Sequence, residues 1–405
     1  MFAQGVTHRT TYRVKSGTAH LGLKPERAHL SFFDASNGEP TDSPYGYEHP
    51  APKRRKPWRA IFGYSFTGLF LIGVAYAFNA PTPYVIEQPG SVFNVLGSDE
   101  GAKIISIKGT QTYEDDGKLF LLTVGLLGQP GNTPSWVEVW QAWNDPKKHV
   151  LPIDLVYPPG VEATQANDAD FQMMKDSQQQ AAASALRELG YKIPNKVVVY
   201  AVDKKAPAAG LLKAKDVITA VDGIAVENGD SVRAEVRSHA NKKPLNLSVT
   251  RGLEQLNVSV TPKKINGAWR MGITVVDTYV FPFDIKLRLQ NVGGPSGGMM
   301  FALGIIDKLT PGSLTGGQTV AGTGEIDGNG NVGPIGGIEQ KMWGAKDNGA
   351  TWFLAPATNC DEVVGHIPDG LQVTKVSTLK DALSALKAIS ANPRTTALPQ
   401  CSLTK

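Results

Sequence analysis

The feature that most limits what this chain can become is the run "AIFGYSFTGLFLIGVAYAFNA", residues 60–80. No Asp, Glu, Lys or Arg occurs between Arg59 and Glu87, and Lys53-Arg54-Arg55-Lys56, Trp58 and Arg59 precede the run. About 20 apolar residues match the thickness of a bilayer's hydrocarbon core. A buried core helix fits a charge-free, aromatic-rich run with basic flanks less well. Ala75-Tyr76-Ala77 has the form of a signal-peptidase site, but the leader is too long and the apolar stretch exceeds the roughly 7–15 residues of a signal peptide. The reading is one uncleaved transmembrane helix over 58–80. The basic cluster places the N-terminus in the cytoplasm and the rest of the chain outside the cytoplasmic membrane.

Residues 1–57 are polar, rich in Gly, Pro, Ser and Thr, and without apolar period, the composition of a disordered cytoplasmic tail. The remaining length allows two or three cores. Charge excludes one class of partner: 41 Lys+Arg against 37 Asp+Glu give only +4, with no basic, aromatic-interleaved stripe for nucleic acid. The seven histidines form neither HExxH nor a Cys-His spacing, so no metal or other cofactor is expected. Cys360 and Cys401 could pair in an oxidising compartment, but the Pro/Thr-rich surroundings of Cys401 favour leaving them apart.

From residue 81 to 190 the chain reads as an α/β segment. "YVIEQPG", "AKIISIKG" and "KLFLLTVGLL" have the short, branched character of strands. "SWVEVWQAWNDP" and "ADFQMMKDSQQQAAASALRELG" read as helices, the second stopped by Gly190. Residues 191–264 form a module of their own. "KVVVYAV" is a strand, and "APAAGLLKAKDVITAVDGIAV" is a short helix, a turn and two strands. "GDSVRAEVRSHA" is a helix and "PLNLSVTRGLEQLNVSVTP" a hairpin. This order, with Pro-Ala-Ala-Gly-Leu and Val-Asp-Gly, resembles the PDZ domains attached to bacterial envelope proteases. Such domains add a peptide C-terminus as an extra strand. Here "GYKIP", residues 190–194, is only the nearest candidate for the carboxylate loop, and a structural spacer or lid remains the competing reading.

Residues 291–309, "NVGGPSGGMMFALGIIDKL", place Ser296 between glycine pairs where a densely apolar, and so mostly buried, helix begins. A helix start offers unpaired N–H groups and a positive dipole end, able to hold an oxyanion. The same setting suits a phosphate, or simple close packing. No GxxxxGK[ST] occurs. A serine hydroxyl needs a base, yet His239 and His366 lie in no persuasive context, so the remaining solution is a lysine.

"GTGEIDGNGNVGPIGGIEQKMWGAKDNGATWFLAP", residues 322–356, together with "GGPSGG", resembles the proteolytic domain of Lon-type Ser/Lys peptidases, closest to membrane-anchored, PDZ-containing relatives without an ATPase. The resemblance rests on Pro295-Ser296-Gly297, Thr323-Gly324-Glu325, and Gly333-Pro334-Ile335-Gly336-Gly337 running into Lys341. It implies Ser296 as nucleophile, Lys341 as base and Thr323 as the residue that orients the lysine, with an oxyanion hole from the backbone of Ser296, Gly297 and Gly294. It also implies a polypeptide substrate and the possibility of a hexameric ring. One departure is Gly293, where many ATP-dependent members carry an acid. A free lysine titrates near 10.4, so a base working near neutrality must be shifted by roughly 3 pH units through apolar burial. Ile338, Met342, Trp343 and Ala345 surround Lys341 in sequence. "DGNGN", residues 327–331, has the look of a calcium loop but lacks its glycine and glutamate, and reads as a β-turn.

The fold class expected is α/β (α+β): a Lon-type proteolytic domain over 265–390, a PDZ-like β-rich module, one N-terminal transmembrane helix, and a flexible tail from 391 to 405. The function expected is an ATP-independent, membrane-anchored serine endopeptidase for unfolded or extended polypeptides. The alternatives are a membrane-anchored peptide-binding scaffold with an inactive protease fold, and a protein that cuts only its own chain.

Overall fold

The apolar runs assemble into two large sheets, beside four two-stranded ones among the described residues. A computed structural model describes residues 58–405, apart from Asp115, 161–162, 239–242, 266, 290–291, 395–397 and 404–405. The expected tail 1–57 and His239 lie outside the described residues. The charge-free run forms helix α1, Trp58–Asn79, long and apolar enough to cross a membrane.

After α1 come strand β1 (Tyr84–Asn94), strand β2 (Lys118–Leu127), helix α2 (Trp136–Trp143), strand β3 (His149–Pro152), a helical turn α3 (Ile153–Val156) and the long helix α4 (Ala163–Glu188). The PDZ-like sheet follows, with β4 (Asn195–Val202), β5 (Val217–Val221), helix α5 (Gly229–Ser238), β6 (Leu245–Arg251), β7 (Glu254–Val260) and β8 (Ile273–Tyr279). The chain then forms helix α6 (Gly298–Leu309), β9 (Thr319–Gly322), the short strands β10 (Glu325–Ile326) and β11 (Val332–Gly333), helix α7 (Ile338–Asp347), β12 (Trp352–Pro356), β13 (Gln372–Val376) and helix α8 (Leu379–Ala391).

The first sheet has the order β13-β12-β9-β2-β1-β3. Its centre is parallel, with Val320 opposite Leu119 and Trp352, while β1 runs antiparallel to β2 and β3. Parallel strands are covered on both faces, and strand alternation sorts their side chains accordingly. Leu121, Val320, Trp352 and Leu354 enter a core with α6, α4 and α8. Leu122, Ala321, Phe353 and Ala355 enter another with Ile338, Met342 and Ala345 of α7. The result is a helix–sheet–helix sandwich. The 81–190 segment is therefore no separate unit: β1, β2 and β3 are half of the sheet whose other half follows the PDZ module.

The second sheet has the order β7-β6-β5-β4-β8 and is antiparallel. It closes over Val197, Val199, Ile218, Leu247 and Val249, with Val232 and Val236 of α5 against them. Two details differ from the sequence expectation. The sheet needs β8, so the module extends past residue 264. The short helix expected at "APAAGLL" is a series of tight turns, such as Ala209 N to Ala206 O, because Pro207 and the left-handed Gly210 (φ 77°) interrupt helical bonding.

The C-terminal segment, expected to be a free tail, is held where it is described. Pro399 O accepts from Lys375 N and Thr374 Oγ1, and Cys401 is disulfide-bonded to Cys360. The expectation that the two cysteines stay apart is overturned, because this segment runs back along β13 and brings their Cα atoms to 4.9 Å.

Candidate active site

Ser296 sits on the loop that enters α6, and the flanking glycines answer a packing need. A Cβ at Gly297 would stand 2.5 Å from Leu121 Cδ1, and one at Gly298 would stand 2.7 Å from Ser177 Oγ. The helix start is thus pressed onto β2 and α4, which fixes the serine between them. Ser177 Oγ donates to Pro295 O at 2.8 Å, and Gly324 N donates to Ser296 O at 2.8 Å. With both neighbouring carbonyls held, the Ser296 side chain has a defined direction.

That direction is toward α7. Lys341 lies in its first turn and is 2% exposed, among Ile338, Met342 and Ala345. Its Nζ donates to Ser296 Oγ at 2.8 Å and to Thr323 Oγ1 at 3.1 Å. Thr323 Oγ1 in turn donates to Ser296 O at 3.1 Å. The structure thus brings Ser296, Lys341 and Thr323, 45 residues apart at the extremes, into one contact. Burial lowers the amine from 10.5 to about 8, while the negative charges of Glu87 and Glu325 oppose the shift. A lysine so placed is half-neutral near pH 8, where an exposed one would be almost wholly charged.

The expected oxyanion donors separate. Gly294 is removed from the set, because its N–H donates to Asp170 O at 2.9 Å. Ser296 N and Gly297 N donate to no acceptor among the described residues and lie at the positive end of α6. Beside them is a cleft of about 470 Å³ lined by Gly90, Ser91, Phe93, Thr123, Val292 and Ser296. Gly90 and Ser91 lie at a bulge where the β1–β2 register shifts between Pro89 and Val92, and the strands stay close there, with Thr123 Oγ1 donating to Ser91 O at 3.0 Å.

Position 293 has a steric reason to be glycine. A Cβ there would lie 2.7 Å from Asp170 Cβ, so α4 fills the corner in which an acidic side chain would stand. Glu87 is a neighbour of Lys341 that sequence reasoning missed. Burial raises its carboxyl above the usual range, while His149 and Lys341 pull it down. Its signal was a lone acid in the buried run Val85-Ile86-Glu87. Glu325, quoted only as part of a motif, is likewise raised by burial and lowered by Lys341. His366 is distant in role, its Nδ1 3.4 Å from Glu339. The Asp327 carboxylate is occupied by its own turn, accepting from Asn329 N and Asn331 N at 2.9 Å, between β10 and β11.

Comparison with known proteins agrees with this geometry. Residues 291–388 match the Lon protease (S16) C-terminal proteolytic domain, and residues 163–261 match the PDZ domain. Lon protease 2 of Bacillus subtilis is 30% identical over 194 residues, covering 44% of this chain and 34% of that protein. Lon protease of Azospirillum brasilense is 37% identical over 94 residues, covering 22% and 11%. The chain spans about a third or less of the length of these relatives. The PDZ domain of the SdrC-like protein from Listeria innocua, a solved structure, is 26% identical, covers 20% of this chain and 92% of that one, and has a TM-score of 0.19.

Proposed function

We propose that this chain, which carries a Lon-type proteolytic domain and a PDZ domain, is a serine endopeptidase that cleaves unfolded or extended polypeptides without ATP while tethered to the membrane by α1. The observation that carries the reading is the buried Lys341 Nζ at 2.8 Å from Ser296 Oγ.

In the neutral amine the hydrogen bond reverses, and Ser296 Oγ–H donates to Nζ. Ser296 Oγ attacks the scissile carbonyl carbon as its proton passes to Lys341. The carbonyl oxygen, now negative, is received by the Ser296 and Gly297 amides. The Lys341 ammonium returns the proton to the leaving amine, and an acyl-enzyme remains on Ser296. Water then repeats the sequence with Lys341 as base. Thr323 keeps the amine aimed by accepting one of its N–H groups. The cleft beside Ser296, bordered by the β1 bulge, suits an extended chain.

Positively charged residues before α1 support an N-terminus inside and a proteolytic region outside the cytoplasmic membrane. The test is cleavage of an unstructured, fluorophore-labelled polypeptide by the full chain in vesicles. Ser296→Ala and Lys341→Ala should each reduce the rate by about 10³-fold or more, as removal of either member of a nucleophile–base pair does. A Lys341→Ala protein that still cleaves refutes the dyad. Active protein mixed with Ser296→Ala protein shows whether cleavage passes between molecules.

A further inference from the structure

Helix α2 presents its apolar side chains outward as well as inward. Val139 and Ala142 pack inward with Ile86, while Trp136, Trp140 and Trp143 share the outer face at 39, 63 and 59% exposure. The Tyr84 ring makes T-shaped contacts with both Trp136 and Trp143, centroids 6.2 Å apart, which stiffens the face. Leu155 of α3 is 72% exposed, and Leu127, opposite Ile86 at the end of β2, is 42% exposed. A row of exposed indoles on α2, with exposed leucines on the elements next to it in the chain, marks a surface that meets something apolar.

The connection from α1 says what that is. Helix α1 ends at Asn79 and β1 begins at Tyr84, so the link spans at most ~17 Å. The link is not slack. Ala80 and Thr82 are buried, Thr82 N and Oγ1 both donate to Pro134 O just before α2, and Pro81 bridges Ser135. On the other side Ile153 N, which opens α3, donates to Pro83 O at 3.0 Å. The exposed apolar side chains of α2 and α3 are therefore fastened to the residues that leave the apolar helix. Trp and Tyr favour that depth, where a ring can sit among headgroups with its N–H or O–H wet.

We propose that Trp136, Trp140 and Trp143, with Leu155 and Leu127, form a footing that inserts into the headgroup region of the bilayer that α1 crosses. This rests on the reading of α1 as a membrane span. The footing makes the body a second contact with lipid and restrains how the proteolytic domain stands over the surface, where a single helix and a free linker would leave it to tumble.

Cys360 and Cys401 are bonded to each other and leave no thiol among the described residues, so single cysteines can be labelled in the full chain without reduction. Trp140→Cys and Leu155→Cys report the footing by independent elements. Leu253→Cys, fully exposed between β6 and β7, is the control, and Phe70→Cys reports α1 itself. Each variant carries an environment-sensitive fluorophore in phosphatidylcholine vesicles that hold a nitroxide near the headgroup or deep in the acyl chain. Labels at 140 and 155 should lose emission to the shallow nitroxide, the label at 70 to the deep one, and the label at 253 to neither. If 70 is quenched but 140 and 155 behave like 253, the footing is overturned while the span stands, and a second copy of the chain becomes the occupant of the face. If 70 is not quenched, the span fails and the footing fails with it.

Discussion

Replacing Lys341 with methionine should abolish cleavage and, at neutral pH, make the proteolytic domain more stable. The folded protein holds this amine in an apolar site where its value falls from 10.5 to about 8. Below about pH 8 both the folded and unfolded chains bind the proton, and the folded state bears the whole cost of a buried charge, about 3 kcal/mol for 2.5 pH units at 1.36 kcal/mol each. Between about 8 and 10.5 the unfolded chain holds a proton that the folded chain lacks, so stability rises with pH in that window and the cost disappears above it. Methionine has similar length and no charge. Its gain is offset by roughly 1 kcal/mol for the lost hydrogen bond to Thr323 Oγ1, because that hydroxyl keeps its bond to Ser296 O. The net expectation is a gain of about 2 kcal/mol at pH 7 that falls through zero by about pH 10.5. Urea unfolding of the full chain in detergent, wild type against Lys341→Met, measures this difference at each pH; groups that do not feel Lys341 cancel between the two, and Glu87 and Glu325, whose carboxyls Lys341 lowers, add their difference only on the acid side. A difference independent of pH, or a loss of stability at pH 7, would refute the claim that burial is what neutralises the amine.

Three further outcomes follow from the same contacts. The kcat/KM of peptide cleavage should rise tenfold per pH unit below about pH 8 and level off above it, with about a tenth of the plateau at pH 7; Glu87→Gln removes a charge that favours the ammonium, so its profile should move to lower pH, and an upward move contradicts the electrostatic reading. Gly297→Ala drives a methyl to within 2.5 Å of Leu121 Cδ1 and should cost about 1–3 kcal/mol by overpacking, with kcat falling more than KM rises, which thermal unfolding and steady-state kinetics check. Opening the Cys360–Cys401 bond by a double serine substitution releases a constraint across 41 residues and should lower stability by up to about 4 kcal/mol, read as a lower urea midpoint; an unchanged midpoint would show that the hydrogen bonds to Pro399 suffice.

Much of the candidate site was legible because it resides in short, ordered motifs. Gly-Gly-Pro-Ser-Gly-Gly before an apolar helix, Thr-Gly-Glu, and Ile-Gly-Gly running to a lysine among apolar neighbours each carry a local physical meaning, and the charge-free run after Arg59 carries another. The partners of those motifs were not legible. Glu87 and Asp170 precede Ser296 by more than a hundred residues, and nothing in "YVIEQPG" or "DADFQ" says that one will face Lys341 and the other will close the corner at Gly293. The pairing of Cys401 was hidden for the same reason, since a Pro/Thr-rich segment carries no sign that it will lie along β13.

By itself the amino-acid sequence determined the kinds of element and marked Ser296 and Lys341 as the candidate reacting groups, because helix starts, strand runs and nucleophile–base chemistry depend on neighbours along the chain. Only the tertiary structure decided that strands on either side of the PDZ module share one sheet, that Gly294 gives its amide to α4, and that a 2.8 Å contact joins the loop before α6 to α7. Those outcomes depend on which surfaces exclude water together, and a linear string of residues does not encode that in any local pattern.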